Sequence, residues 1–385
     1  GIAGKLPVAD QFGLGNKLTS LAKSEKETAS IPIREAYASA FKAAGETPVD
    51  ISSVIKKAEN ILGEKLSEIK PSSAPQTVRA INDLASKKVD TQSLVNANIL
   101  KPVGTTSKGR EVYRAIADGE DANGPRAAGS WVTPNKDIAV NVYAKGDASK
   151  VVKDYIPEKD LYEAHPDGWV YAPPGTDMSS IKRTKDMTFG DMYKNSATLE
   201  EIDGIRKAIN ADTQMAQRSN DPLAATRLNS LSKLHSELDS AIANSSLTPE
   251  AKSLYSNALE KYRTEFAPRF KQGSNLEVFG KTSLNEPKIL PDRFISEYFK
   301  PDSQGGVTQS QQFSKLFGTN QAAKTLASEG ILDLYRGKVV NPTTGTIDQT
   351  AHNAFMRDYG RTLRAYGDAG IDVGGQINHI GQEAA

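Results

Sequence analysis

The sequence predicts a mainly α-helical protein, an elongated helical bundle or stack with one small inserted α+β module. Apolar residues recur at three- and four-residue spacing through most of the 385 residues, which is the period of an amphipathic helix. Within 101–186 the pattern changes to short alternating or β-branched runs, which is typical of strands. Hydrophobic residues make up 38% of the chain, and this low content favours long helices with narrow apolar stripes over a compact globular enzyme.

These changes of pattern divide the chain into four predicted regions. They are an N-terminal helical region over 1–100, the inserted α+β module over 101–186, a three-helix bundle over 187–280 and a C-terminal short-helix region over 281–385. Because the apolar stripes are narrow, we expect the helices to gain stability by packing against neighbouring subunits.

Three helix starts are marked by residues that cap an N-terminus. Thr198 and Glu201 have the spacing of a capping box, in which the side chains of the two residues satisfy free backbone N–H groups. Thr248 precedes Pro249, which is favoured in the first turn of a helix because it has no N–H to satisfy. Asn320 has the side chain of a third cap.

The two ends of the chain give weaker signals. In the Gly-, Lys- and Ser-rich first 47 residues we expect one helix, over 33–44. The segment after Gly370 contains Gly374 and Gly375, and we expect it to be loose because glycine disfavours a helix.

Composition excludes several classes of function. The chain has 48 basic and 47 acidic residues, so no overall positive charge attracts nucleic acid. It contains no cysteine, which excludes a disulfide framework, a thiolate metal site and a cysteine nucleophile. No run of eighteen apolar residues occurs, so the sequence predicts no transmembrane helix.

Common catalytic and cofactor motifs do not occur in the sequence. The HExxH, P-loop, dinucleotide-binding glycine and G-x-S-x-G motifs are all missing. The four histidines, which are far apart and lack metal-ligand spacing, are His165, His235, His352 and His379. We therefore expect packing or surface roles for these histidines and predict no metal site.

The inserted module has a distinct order of strands and one helix. Strands are predicted over 111–116, 130–133, 151–156 and 169–172, where β-branched and aromatic residues concentrate. A helix is predicted over 134–145, between the second and third of these strands.

This order resembles the ADP-ribosyltransferase layout. The matching parts are Arg114 on the first strand, the segment 130–133 (SWVT) before the helix, and the late segment 169–175 (WVYAPPG). In that family the arginine and the Ser-Thr element hold NAD. The resemblance therefore implies that Arg114, Ser130 and Thr133 are candidate site residues and that NAD is the cofactor.

The module departs from that family at the catalytic position. The family carries a glutamate there, which stabilises the ribosyl cation, whereas this chain has Trp169, with Asp167 two positions earlier. An indole has no negative charge to face an oxocarbenium-like centre. Asp167 is accordingly the remaining candidate catalytic carboxylate, and the competing interpretation is a structural α+β decoration in which Arg114 only makes a local contact.

The helical remainder is similar to bacteriophage internal virion proteins that take part in DNA ejection. The similarity covers residues 190–370 and includes the segments 205–210 (IRKAIN), 259–273 and 291–294 (PDRF), followed by short phenylalanine-rich helices. It implies residence in the virion and delivery into the host envelope or cytoplasm on infection. It also implies assembly with copies of itself and with portal, tail or other ejection proteins, and packaging beside DNA.

Three functions follow as hypotheses. The first is a non-enzymatic phage virion protein that oligomerises through helical faces, needs no cofactor and presents no small-molecule cleft. The second is an ADP-ribosyltransferase-like enzyme or effector that uses NAD in the module 101–186. The third is a helical scaffold or adaptor of a tail or secretion machine.

Overall fold

The structure is a computed structural model, and it describes residues 2–62, 74–87, 89–124 and 126–384. It confirms a mainly α-helical fold with one small α+β module. The chain forms two compact units, one of residues 1–38 with 255–385 and the other of residues 39–254.

The helices are named here in chain order. They are α1 (Gln11–Ala44), α2 (Ser52–Leu62), α3 (Pro75–Ala85), α4 (Thr91–Asn96), α5 (Lys136–Ile138), α6 (Phe189–Lys194), α7 (Leu199–Gln217), α8 (Ala224–Ala243), α9 (Pro249–Lys261), α10 (Ala267–Phe270), α11 (Gly273–Val278), α12 (Phe294–Tyr298), α13 (Gly306–Phe317), α14 (Gln321–Val339), α15 (Gln349–Asp368) and α16 (Val373–Ala384). Helix α5 continues as a π-helical turn over Ala139–Tyr143, and α9 continues as another over Tyr262–Phe266.

The strands are short. They are β1 (Val49–Asp50), β2 (Lys101–Pro102), β3 (Gly109–Ala115), β4 (Trp131–Val132), β5 (Val151–Pro157), β6 (Leu161–His165), β7 (Gly168–Tyr171), β8 (Lys182–Thr184), β9 (Met187–Thr188) and β10 (Ser196–Ala197). All but β1, β9 and β10 lie within the predicted module 101–186, where β2, β6 and β8 were not predicted from the sequence.

The unit of residues 1–38 and 255–385 has a core rich in aromatic rings. Its buried aromatic side chains are Phe266, Phe270, Phe294, Tyr298, Phe299, Phe313, Phe317, Tyr335, Phe355, Tyr359 and Tyr366. Rings in contact include Phe313 with Phe317, whose centroids are 4.6 Å apart, and such pairs add about 0.5–1.5 kcal/mol to simple burial. In this unit the apolar stripes bury one another within the chain, so the packing that we expected from neighbouring subunits is already present.

In the unit of residues 39–254, α7 and α8 form a hairpin to which α3 and α2 are packed. Thr198 caps α7, because its hydroxyl accepts a hydrogen bond from the Glu201 backbone N–H at 3.3 Å. The Glu201 side chain pairs with Lys87, so the reciprocal half of the predicted capping box is not formed. Asp212 of α7 is buried and accepts hydrogen bonds from the Thr77 backbone N–H and hydroxyl, both at 2.7 Å, so it holds the first turn of α3. The hairpin thus packs against helices that belong to the predicted N-terminal region. The boundaries of the four regions proposed from the sequence remain a prediction.

The module begins with a long antiparallel ribbon. Strand β3 pairs with β5, and the pairing continues through a hydrogen bond of 3.0 Å from the Glu158 N–H to the Lys108 carbonyl. A further bond of 3.0 Å, from the Val103 N–H to the Leu161 carbonyl, leads into the pair β2–β6. The two sides of the ribbon are therefore the continuous segments 101–115 and 151–165.

The free edges of that ribbon are joined by the remaining strands. Strand β6 pairs with β7 and β7 with β4, while β4 returns to β3 because Tyr113 and Thr133 exchange backbone hydrogen bonds of 2.8 and 2.9 Å. The pairing thus closes into a small barrel. Its buried interior side chains are Val112, Val132, Ile156, Leu161 and Trp169.

Both ends of the chain are more helical than predicted. Helix α1 begins at Gln11, not near Ile33, and it continues through Pro32. The segment after Gly370 is not loose, since it forms α16 with Ile377 fully buried. The prediction failed because the glycines of α16 permit close packing: a Cβ on Gly381 would overlap the ring of His352 on α15.

Among the described residues, no helix is both long enough and apolar enough to cross a bilayer.

Candidate functional site

The module contains a pocket of about 470 Å³, within the range of about 300–1,000 Å³ that is usual for small-molecule sites. It lies where the ends of β3, β4 and β6 meet β8 and the π-helical turn over Ala139–Tyr143. The residues that line it are Arg114, Ala115, Glu120, Ser130, Trp131, Tyr143, His165 and Arg183.

Arg114 is the most buried charged side chain of the pocket, with 3% of the residue exposed. It follows Val112 by two positions on β3, and both are buried because alternate residues of a strand face the same side. Its Nη1 donates a hydrogen bond of 2.6 Å to Glu120. Its Nε lies 3.5 Å from an Asp154 carboxylate oxygen, longer than the roughly 2.7–3.2 Å of an ordinary hydrogen bond.

Glu120 supplies the acidic side chain of the lining from the loop after β3. The Ala117 N–H, at 2.9 Å from the carboxylate, and the Arg114 guanidinium together hold the pKa of the Glu120 carboxyl below its usual range. Glu120 is therefore ionised at neutral pH, and it neutralises part of the charge of Arg114.

Trp131 of β4 provides an aromatic wall. Its indole N–H donates a hydrogen bond of 2.9 Å to the Lys182 carbonyl, which fixes the ring against β8. The ring stacks on His165, with centroids 5.3 Å apart and planes inclined by 25°. Gly168 is required beside this stack, because a Cβ at that position would overlap the imidazole of His165.

Tyr143 closes another side of the pocket from the end of the π-helical turn. Its hydroxyl is buried and forms no hydrogen bond. Burial, and secondarily the charge of Asp167, raise the pKa of the Tyr143 hydroxyl. The group is therefore a neutral phenol at physiological pH and is able to donate a hydrogen bond.

Arg183 enters the pocket from β8. Its Nη2 donates a hydrogen bond of 2.8 Å to the Ala164 carbonyl, while its Nε is buried without a hydrogen bond. A guanidinium carries five N–H donors in a fixed plane, so this single carbonyl uses only part of its capacity.

The structure separates the four candidate residues into two pairs. Arg114 and Ser130 both line the pocket. Thr133 is fully buried, and its hydroxyl accepts a hydrogen bond of 3.1 Å from the Asn135 N–H, so it shapes the start of the following helix. Asp167 lies outside the lining, in the turn between β6 and β7, and acts on the pocket through its charge on Tyr143.

Trp169, at the position of the family's glutamate, belongs to the barrel interior. It is 9% exposed, and the Arg110 guanidinium lies 5.9 Å from its ring centroid. The indole fills this space with an apolar group, so the late strand offers no carboxylate to the pocket.

Six of the eight lining residues were not identified from the sequence as site residues: Ala115, Glu120, Trp131, Tyr143, His165 and Arg183. The only local signal was for His165, an isolated histidine in a strand-rich module, and we had expected a packing or surface role for it. Arg183 follows the late strand by more than ten residues, in a segment where the sequence predicted no strand.

The described residues contain no group of three or more histidine, aspartate or glutamate side chains arranged to hold a metal ion. No protein-family model, no curated protein and no solved structure matches this chain. The pocket itself is therefore the basis for assigning a function.

Its chemistry suits an anion that carries a planar ring. The two guanidinium groups are placed to attract and hydrogen-bond phosphate oxygens. The Trp131–His165 stack offers an aromatic surface beside them, and Tyr143 adds a neutral donor.

Proposed function

We propose that the module 101–186 binds a phosphate-bearing nucleotide, with NAD as the first candidate. The observation that carries the proposal is the pocket, which brings Arg114 and Ser130 together with an aromatic wall. The resemblance to the ADP-ribosyltransferase layout, noted from the sequence, supports NAD among the nucleotides.

For the module 101–186, the pocket supports the small-molecule-binding hypothesis. The non-enzymatic virion protein was expected to lack a small-molecule cleft, whereas this module has one of ordinary size. Arg114 is buried at this pocket and paired with Glu120 and Asp154, so a bound phosphate would be a third anionic group beside its guanidinium.

Binding alone is proposed for this pocket. Trp169 replaces the carboxylate of the layout, and Glu120, the acidic residue of the lining, is bonded to Arg114. We therefore expect that incubation with NAD produces a complex but no release of nicotinamide. Release or labelling of an acceptor that disappears in Arg114→Ala would instead support the transferase-like alternative.

Calorimetric titration of the full chain with NAD tests the proposal. Arg114→Ala is expected to weaken binding by at least about tenfold, since charge-assisted hydrogen bonds are the stronger ones and about 1.4 kcal/mol corresponds to that factor. Arg114→Lys keeps the charge but not the planar fork, and is expected to retain part of the affinity.

Arg110→Ala is the matched control, because Arg110 lies on the same strand and outside the pocket. It is expected to bind NAD like the wild type, with circular dichroism showing that each variant is folded. Absence of NAD binding by the wild-type chain, or equal binding by Arg114→Ala and Arg110→Ala, would refute the proposal.

For the helical remainder we propose the virion role, with assembly into a homo-oligomer. The supporting observation is that five large apolar side chains of the unit of residues 1–38 and 255–385 are exposed: Val8, Phe12, Ile31, Leu284 and Leu290. Covering such side chains by a second copy of the chain would remove apolar surface from water, which favours association.

Sedimentation velocity tests this second proposal. The wild-type chain is expected to form a defined oligomer, and Phe12→Ser combined with Leu284→Ser is expected to shift it toward monomer. Leu223→Ser is the control, since Leu223 is equally exposed but belongs to the other unit. A wild-type chain that stays monomeric at all concentrations would contradict the proposal.

A further inference from the structure

The pocket has hydrogen-bonding capacity that the protein itself does not use. In the described part of the chain, eight buried side-chain atoms lack a hydrogen bond, and three of them belong to residues that line this pocket: Arg114 Nε, Tyr143 OH and Arg183 Nε. Buried polar groups in native proteins nearly always have a partner, so such a concentration points to a polar ligand.

We propose that Arg114 and Arg183 together form a diphosphate-binding clamp, with each guanidinium taking one phosphate group of the ligand. This inference rests on the proposed nucleotide site and specifies its substrate class, namely nucleoside diphosphates and diphosphate-linked dinucleotides. Arg183 has no counterpart in the residues that suggested the site from the sequence.

The two guanidinium groups are suited to separate phosphates. They enter the pocket from different strands, Arg114 from β3 and Arg183 from β8. Arg114 is held by Glu120 and by the Asp154 carboxylate 3.5 Å from its Nε, and Arg183 is held by the Ala164 carbonyl. Each therefore has a defined position and further N–H donors, which is the arrangement that binds phosphate oxygens in a bidentate manner.

The charged side chains of the lining favour an anionic ligand over a neutral one. Arg114 and Arg183 contribute two positive charges, and Glu120 contributes one negative charge. The Tyr143 hydroxyl adds a donor without charge, which suits a bridging or terminal phosphate oxygen.

Calorimetric titration of the full chain with inorganic pyrophosphate and with inorganic phosphate tests the clamp. The wild-type chain is expected to bind pyrophosphate at least about tenfold more tightly than phosphate, and ADP more tightly than AMP by a similar factor. Arg183→Ala is expected to remove this preference while leaving the fold intact, because Arg183 is only partly buried.

Lys185→Ala is the matched control, since Lys185 is an exposed cation in the turn between β8 and β9 and does not line the pocket. It is expected to keep the preference for pyrophosphate, which separates the clamp from a general effect of positive charge on this hairpin.

The outcomes distinguish this inference from the proposed function. Equal affinity of the wild type for phosphate and pyrophosphate, or an unchanged preference in Arg183→Ala, overturns the clamp. If NAD binding then still depends on Arg114, the proposed function stands without it. A pyrophosphate preference that requires Arg183, in a chain that does not bind NAD, supports the clamp and refutes NAD as the ligand.

Discussion

Arg114 shows how a single buried cation organises its surroundings. Its guanidinium lies between Glu120, which accepts a hydrogen bond from Nη1, and Asp154, which is also bound by Arg126 through two hydrogen bonds of 2.9 Å. The four side chains alternate in charge, and alternation of this kind keeps a buried guanidinium stable. A phosphate bound to Nη1 must compete with the Glu120 carboxylate.

Substitution of Glu120 by glutamine should therefore strengthen nucleotide binding. The neutral amide competes less well for Arg114 and removes a negative charge from the lining, so we expect Glu120→Gln to bind NAD about three- to tenfold more tightly. Calorimetry gives the affinity, and Glu111→Gln, an exposed carboxyl on the same strand, is the control. Unchanged or weaker binding in Glu120→Gln would show that the carboxylate does not compete with the ligand.

A second residue-scale effect concerns His235 in the α7–α8 hairpin. Arg206 lies 3.0 Å from the His235 Nε2 and has only donors to offer, so that nitrogen is the acceptor and the imidazole is neutral. Burial and the Arg206 charge lower the pKa of His235 from its ordinary 6.5. The unfolded chain thus binds a proton more readily than the folded chain below that pH, and stability is lost as the pH falls through about 6.5.

We predict that the midpoint of thermal unfolding of the wild-type chain decreases between pH 7 and pH 5. We expect a smaller decrease over the same range in His235→Gln. Burial also lowers the pKa of His352, which contributes in the same direction and leaves part of the slope in that variant. Carboxyl groups whose folded-state pKa is lowered contribute mainly below this range, so the histidines dominate it. Calorimetric scans at several pH values give the slope of the thermal midpoint against pH for the wild-type chain and for His235→Gln. Identical slopes for the two would contradict the assignment of this pH dependence to His235.

The resemblance to the ADP-ribosyltransferase layout identified part of the candidate site. Arg114 and Ser130 were identified because they lie at the two positions of a recognisable strand order. Arg183 was not identified, because its role depends on how β8 lies against Trp131. The contact that sets this, between Trp131 and Lys182, joins residues 51 apart in sequence. Thr133 was assigned to the site, but it is fully buried outside the lining, which sequence position does not reveal.

At the scale of elements, local propensity was outweighed by packing at both ends of the chain. Proline inside a helix costs about 3 kcal/mol, yet α1 passes through Pro32 because Leu14, Leu18 and Ala22 bury a stripe on its earlier turns. Helix α16 contains three glycines, which disfavour helix formation individually but allow close contact with α15. Periodicity correctly placed the interior helices, where stripes were longer.

Helix α16 should therefore contribute measurably to stability. Ile377→Ala removes a fully buried side chain, and we expect a loss of about 2–4 kcal/mol in the free energy of unfolding. Urea denaturation measures the change, and Asn378→Ala, at the next and exposed position, is the control with almost no effect. A loss below about 0.5 kcal/mol for Ile377→Ala would mean that α16 is not packed as described.

At the scale of the whole molecule, the sequence predicted the class of fold and the place of the module. The strand-rich segment was recognised because its apolar pattern has a period of two. The closure of its strands into a barrel depends on the Tyr113–Thr133 and Val103–Leu161 pairs, which no local pattern specifies. The aromatic core of the other unit includes the phenylalanine-rich short helices noted in the sequence, and only the structure shows that their rings pack together.

The central claim is that the pocket of the module 101–186 binds a nucleotide. Hydrogen–deuterium exchange of the full chain with and without saturating NAD tests it most directly. We predict slower exchange over 109–116 and 130–143 when NAD is present, and no such change in Arg114→Ala. Protection confined to the helical regions, or no change at saturation, would contradict the claim.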